Sequence, residues 1–175
     1  MPVSEPFSPL QREVYDIVYA SQEAGIDAIK PGVRFADLHL ICMRVLAEGL
    51  AELGVLPGSA EEAMEPDSMF YRRWTLHSFG HMLGIDVHDC AAARPDAYHE
   101  GELSAGDVLT VEPGLYFQPD DNLVPAELRG MGIRLEDDFL VTAEGPVVLS
   151  ADLPRQAEEV ETWLAAQRAA GPRPP

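Results

Sequence analysis

Three of the five histidines stand within twelve residues of one another, in the segment from Leu76 to Cys90. They are His77, His81 and His88, and two glycines lie between them. Imidazole is the commonest protein metal ligand and it titrates near neutral pH. This spacing therefore predicts a site at which several histidines converge. The alternative is a set of hydrogen-bonded core histidines, which is the simpler interpretation of any one of them alone.

The spacing of His77 and His81 limits how they could bind a metal. In a helix they would share one face, as in zincins, but a zincin has Glu directly after its first His and this chain has Ser78. In an extended segment they would point to the same side, roughly 13 Å apart at about 3.3 Å per residue, which is too far for both to bind one ion. One histidine would then be a metal ligand, and the others would act around it.

A carboxylate follows a predicted buried strand. The apolar, β-branched run from Val108 to Val111 is typical of such a strand, and it ends at Glu112, where Pro113 and Gly114 stop it. The end of a strand beside a turn is a good position for a metal ligand. The alternative is a charge that faces solvent.

A further strand is predicted from Ile133 to Val141, because apolar and charged side chains alternate along it. Arg134 and Glu136 then project from one face, while Asp137 shares the other face with the apolar residues. Solvated surface charges are again the alternative interpretation.

Three stretches carry a resemblance to a known family: G-H-M-L-G-I-D-V-H-D, V-E-P-G-L-Y and G-I-R-L-E-D-D. In this order and at these intervals they resemble the catalytic signatures of the Xaa-Pro aminopeptidases (aminopeptidase P), which are pita-bread-fold metallopeptidases. The resemblance runs from about Phe7 to Leu164. It implies an α+β chain with a partial pita-bread (creatinase/aminopeptidase-like) fold, in which helices pack on one face of a curved, mainly antiparallel sheet.

The resemblance implies a set of metal ligands. His81, Glu112 and Glu136 match ligand positions, and Glu136 stands where the family bridges two divalent ions. Ligands dominated by carboxylates favour manganese. The family completes the set with two aspartates that have no counterpart here. Asp16 and Asp27 have the required spacing of eleven residues, but their helical pattern separates them by roughly 16 Å.

The resemblance also implies catalytic roles and an activity. Glu112 would shuttle a proton, His77 and His88 match outer histidines that handle substrate and developing charge, and Arg134 matches an arginine that supports the site. The implied substrates are peptides with proline at the second position, from which the N-terminal residue is released. Because the ligand set is incomplete, we expect weak activity or none from the chain alone. The alternative is a non-catalytic peptide-binding or assembly module derived from the peptidase fold.

Composition excludes other classes of function. The net charge is −18, with 30 acidic against 12 basic side chains, so the chain would repel the phosphates of a nucleic acid. We find no apolar run of membrane-spanning length and no signal-peptide pattern, so we expect no membrane contact. Cys42 and Cys90 do not make a disulfide framework, and free thiols predict a reducing cytoplasm.

The helices that would position the site have clear start and stop signals. Ser8 is a predicted N-cap, with Gln11 able to close a capping box, and the helix should end at Lys30, before a Pro-Gly pair. A second helix is predicted over Phe35–Leu53 and a last one over Arg155–Arg168. Residues 1–170 are interpreted as a truncated pita-bread catalytic domain, and 171–175 as a disordered tail.

The chain is predicted to form a homodimer. In the complete fold, a first half covers apolar surface and a sheet edge of the second half, and such exposed surfaces usually find a partner. A second copy related by a twofold axis would close the assembly. Light scattering should therefore report about twice the chain mass of 19.1 kDa. A monomer at micromolar concentration, without aggregation, would contradict this expectation.

Overall fold

Two long helices lie against antiparallel strands in the computed structural model, which describes residues 6–89 and 95–171. The predicted α+β class is confirmed. The helices are α1 (Pro9–Ala28), α2 (Phe35–Glu52), α3 (Ala60–Met64), α4 (Pro95–Tyr98) and α5 (Ala157–Ala170), with a 3-10 turn at Phe70–Arg73. The strands are β1 (Val108–Val111), β2 (Gly114–Tyr116), β3 (Gly132–Arg134), β4 (Asp137–Thr142) and β5 (Gly145–Val148).

Helix α1 begins as its sequence predicts. The Ser8 hydroxyl accepts a hydrogen bond from the Gln11 backbone N–H at 3.2 Å, and the Gln11 side chain accepts one from the Ser8 N–H at 3.0 Å. The helix ends at Ala28, two residues earlier than predicted, because Lys30 precedes a proline and the helical conformation is disfavoured there.

Helices α1 and α2 cross closely because two glycines lie in the contact. A side chain on Gly49 would collide with Ile17, and one on Gly25 would meet the Cys42 sulfur at 2.6 Å. Gly25 also brings α1 close to Val111, at the end of β1. Helix α1 is thus held directly against the strand that precedes Glu112.

The strands form two antiparallel ladders, a three-stranded sheet in the order β1-β4-β5 and the pair β2-β3. The predicted single strand over 133–141 is wrong in one respect, because it breaks after Arg134 and resumes at Asp137. Pro113 causes the break: it accepts a bond from the Leu135 N–H at 3.4 Å but has no N–H to return. The predicted alternation persists across the break, since Leu135 is buried and Glu136 is exposed.

The last helix, α5, packs against α1. It begins at Ala157, two residues later than predicted, and the Arg155 carbonyl before it accepts a hydrogen bond from the Tyr15 hydroxyl at 2.6 Å. The Glu161 side chain accepts a bond from the Phe7 N–H at 2.8 Å. The predicted disordered tail lies outside the described residues from 172 onward.

No helix among the described residues is long and apolar enough to cross a membrane. Cys42 is a free, buried thiol, and burial raises its pKa to about 12. Cys90 lies outside the described residues.

The core of the helix pair gives a direct test of this packing. Leu46 and Leu40 lie on the same helix, but Leu46 is fully buried and Leu40 is 50% exposed. We expect Leu46→Ala to lower the free energy of unfolding by about 2–5 kcal/mol, because it leaves a cavity. The matched change Leu40→Ala should cost less than about 0.5 kcal/mol. Urea unfolding of both variants measures the two losses in free energy of unfolding, and equal losses would contradict this packing.

Candidate metal centre

Glu112 and Glu136 face each other at the break in the sheet. Val111 pairs with Asp137 on one side of the break, and Gly114 pairs with Arg134 on the other. The same register runs through both ladders, so it places Glu112 opposite Glu136. Glu112 is 8% exposed and lies at the inner end of the site, whereas Glu136 is exposed.

His81 joins the two carboxylates. Ligand atoms of His81, Glu112 and Glu136 all lie within 4.8 Å of one another. One imidazole and two carboxylates are donors that hard or borderline divalent cations accept. The structure therefore brings the three predicted ligands together, and their binding of an ion stays a prediction.

The part of this histidine segment from 79 to 83 is extended, which decides between the two geometries that the spacing of His77 and His81 left open. It runs antiparallel to β1: the N–H groups of Thr110 and Glu112 donate to the carbonyls of His81 and Phe79 at 2.8 and 2.6 Å. A Cβ on Gly80 would collide with the backbone carbonyl of Thr110. Glycine is therefore what allows this segment to approach β1 and deliver His81.

A hydrogen bond to the backbone orients the His81 ring. Its Nδ1 lies 3.0 Å from the Met82 carbonyl oxygen, which can only accept, so Nδ1 carries a proton. Its Nε2 faces the Glu112 Oε1 at 3.3 Å. In this neutral tautomer a lone pair of Nε2 would face a lone pair of Oε1. Such a contact is repulsive unless a cation or a second proton lies between the two atoms. The residues present therefore fit a divalent ion.

Thr110 connects the imidazole to the carboxylate, and the sequence analysis missed it. Its hydroxyl oxygen accepts the His81 N–H at 3.0 Å and donates to Glu112 Oε1 at 3.3 Å. The period-2 alternation of a strand puts residues 110 and 112 on one face. That signal could have identified Thr110.

Arg134 lies beside both carboxylates. Its guanidinium nitrogens are 3.5 Å from Glu112 Oε2 and 3.5 Å from Glu136 Oε2. The positive charge offsets the repulsion between two carboxylates held close together. Arg134 therefore lies at the site, and its supporting role stays a prediction.

His77 and His88 flank His81 in different ways. The His77 Nδ1 lies 2.7 Å from the Ser78 carbonyl oxygen, so its Nε2 accepts from the Tyr116 hydroxyl at 2.6 Å. The His88 ring is exposed and meets the His81 ring edge-on, with centroids 4.5 Å apart. Both predicted histidines are thus at the site, although neither joins the three-residue cluster.

Tyr116 is a second residue that the sequence analysis missed. Its ring lies against Gly114 and Gly132, where any side chain would crowd it. Burial raises the pKa of Tyr116, while the nearby Arg134 charge acts in the opposite direction. The hydroxyl therefore keeps its proton and can donate to His77.

A salt bridge behind the site supports this arrangement. Arg73 forms a two-pronged pair with Asp121, at 2.8 and 2.9 Å, and lowers the pKa of that carboxyl to about 2. The Trp74 indole N–H also donates to Asp121, and the Trp74 carbonyl accepts the Tyr116 N–H at 2.9 Å. These bonds connect the loop that contains Asp121, through Trp74, to β2, the strand that contains Tyr116.

The aspartates with the spacing of the family's remaining ligands lie elsewhere. Asp16 and Asp27 are exposed on α1, and Asp16 pairs with Arg12. Among the described residues, neither belongs to a cluster that could hold a metal. The expectation that they cannot replace the family's aspartates agrees with this placement.

An imidazole and two carboxylates at interrupted strand ends define a candidate centre for a divalent metal. The sequence model of metallopeptidase family M24 matches residues 1–143 of this chain. This chain belongs to that family.

Its relatives carry the activity that the resemblance implied. The chain is 57% identical to Xaa-Pro aminopeptidase 1 of Streptomyces coelicolor, over 95% of its own length and 33% of that protein. It is 38% identical to the Xaa-Pro aminopeptidase of Escherichia coli, over 95% and 37% of the two chains. The chain thus spans about a third of the length of the curated relatives that it matches.

Solved structures confirm the predicted partial pita-bread fold. Zinc-substituted E. coli aminopeptidase P in complex with product matches with a TM-score of 0.86 and 38% identity, covering 95% of this chain and 37% of that one. Pseudomonas aeruginosa aminopeptidase PepP matches with a TM-score of 0.85 and 36% identity, covering 94% and 36%.

The close approach at Gly80 can be tested by substitution. Gly80→Ala should push the histidine segment away from β1, because the added methyl collides with backbone that cannot rotate aside. We expect a loss of about 1–3 kcal/mol in the free energy of unfolding, together with weaker manganese binding. Ser78→Ala, on an exposed neighbour in the same segment, is the control and should change neither quantity. Equal behaviour of the two variants in urea unfolding and calorimetry would argue against the contact.

Proposed function

We propose that this chain contributes a metal centre for the hydrolysis of peptides with proline at the second position, releasing the N-terminal residue. The observation that carries the proposal is the cluster of His81, Glu112 and Glu136 at the break in the sheet. The names of the relatives support the substrate class, since they are Xaa-Pro aminopeptidases.

We propose manganese as the metal, because two of the three clustered donors are carboxylates. His81, Glu112 and Glu136 would hold it. A bound divalent ion supplies Lewis-acid polarisation of the scissile carbonyl and lowers the pKa of an attacking water. The described residues bring only these three donors together, so at most one weakly bound ion per chain is expected.

The side chains around the metal ligands would have different roles in the reaction. Glu112, with its buried carboxylate, would take a proton from the attacking water and return it to the leaving amine. His77, held by the Tyr116 hydroxyl, and the exposed His88 flank the cluster, where they can hydrogen-bond to the peptide. Arg134 stabilises the negative charge that the two glutamates concentrate.

We further propose a homodimer in a reducing cytoplasm. The apolar side chains of Ile85 and Val87 are exposed beside His88, where a partner surface would cover them. The free thiol of Cys42 is consistent with a reducing compartment.

The experiment is release of the N-terminal residue from an Xaa-Pro peptide, with and without added manganese. We expect slow release that needs manganese, and calorimetry should detect at most one weak manganese site per chain. Glu112→Gln should abolish release, because the amide cannot accept the proton and is a poorer ligand. Glu127→Gln removes an exposed carboxylate elsewhere on the chain and should leave the rate unchanged.

The results distinguish an active peptidase from a non-catalytic binding module. Peptide binding without release at any manganese concentration would favour a non-catalytic module. Two tight manganese sites per chain would contradict the expected single weak ion. Release that persists in Glu112→Gln would remove this residue from the proposed chemistry.

A further inference from the structure

Gln22 lies in the middle of α1 and is fully buried, although its side chain is polar. Its amide nitrogen donates to the Val111 carbonyl oxygen at 3.1 Å and to Asp137 Oδ2 at 3.0 Å. These two residues are register partners in β1 and β4. One helix side chain therefore connects two strands at their last pair before the break.

The connected residues are the direct neighbours of the candidate ligands. Val111 immediately precedes Glu112, and Asp137 immediately follows Glu136. Beyond this pair, Pro113 interrupts the ladder, so the two glutamates are held between the Val111–Asp137 pair on one side and the Gly114–Arg134 pair on the other. The separation of the glutamates therefore depends in part on how firmly the Val111–Asp137 pair is held.

Further polar groups complete this network. The Ser150 hydroxyl donates to Asp137 Oδ1, and Arg155 lies 3.7 Å from Asp137 Oδ2. Arg155 also donates to Gln22 Oε1 at 3.4 Å, so every polar atom of the Gln22 side chain has a partner. Buried polar groups that are fully hydrogen-bonded adopt one arrangement rather than several.

We infer that Gln22 is a positioning residue for the metal centre, holding β1 and β4 so that Glu112 and Glu136 stay at the separation one cation requires. It acts through Val111 and Asp137, to which its amide nitrogen donates. As far as the metal is concerned, this inference rests on the proposed function. Partners behind the direct ligands typically change metal affinity by about 10–100-fold when they are replaced.

Gln22→Met tests the inference, because it keeps the length of the side chain and removes both donated bonds. We expect manganese affinity, measured by calorimetry, to fall by about tenfold. Ser21→Ala is the matched control: Ser21 is also fully buried on α1, but its hydroxyl donates to the Cys42 carbonyl of α2 at 2.9 Å. The control should lower the melting temperature without changing manganese affinity.

A second readout does not depend on metal. In the metal-free chain, Gln22→Met should speed hydrogen exchange at the Glu112 amide more than at the Val141 amide, which bonds the Asp107 carbonyl further along the sheet. Ser21→Ala should change the two amides by the same factor. If the parent chain binds no manganese, the proposed metal site fails and this exchange pattern alone decides the role of Gln22.

Ser150→Ala provides a milder variant in case Gln22→Met does not fold. It removes the hydroxyl that donates to the other oxygen of Asp137 and should weaken manganese binding in the same direction, by a smaller factor. The inference is overturned if Gln22→Met lowers the melting temperature as Ser21→Ala does while manganese affinity and the ratio of the two exchange rates stay at parent values. It is also overturned if Ser150→Ala, as the folded substitute, leaves both of those quantities unchanged.

Discussion

The interruption of the sheet at Pro113 is the constraint on which the site depends. A continuous ladder would put successive side chains on alternate faces with no gap between β1 and β2. Because Pro113 cannot donate a hydrogen bond, pairing stops on its own strand and on the strand opposite. Glu112 and Glu136 are the residues at that gap, so a single backbone property creates the space between them.

Holding two carboxylates together has an electrostatic cost, and the surroundings offset it. Arg134 lies against both groups, His81 approaches one of them, and the Thr110 hydroxyl bonds the same one. These groups come from three stretches of chain that meet only in the folded state. The arrangement is organised in advance of any cation, because each ring or hydroxyl is also bonded to backbone.

The likeness to Xaa-Pro aminopeptidases covers nearly all of this chain and about a third of those proteins. The shared part contains the complete strand break and the histidine segment, together with the helices behind them. Gln22 and the Asp137 network show how those helices reach the site, since α1 contacts the strands one residue away from each glutamate. Helix α1 contributes no candidate ligand, but its contacts help to fix the positions of the strands that do.

Much of this arrangement was determined by the sequence alone, through local signals. The Ser8 capping box and the Val108–Val111 strand are set by neighbouring residues, and the three motifs contain the residues that cluster as candidate metal ligands. Tertiary structure decided the rest. Whether the histidine segment is helical or extended around His81 depends on the close contact of Gly80 with Thr110, and the break after Arg134 depends on a proline that lies between β1 and β2. Strand periodicity places Thr110 on the face of Glu112, but the bond of Thr110 to His81 and the contacts of Tyr116 and Gln22 join distant segments, which no local pattern specifies.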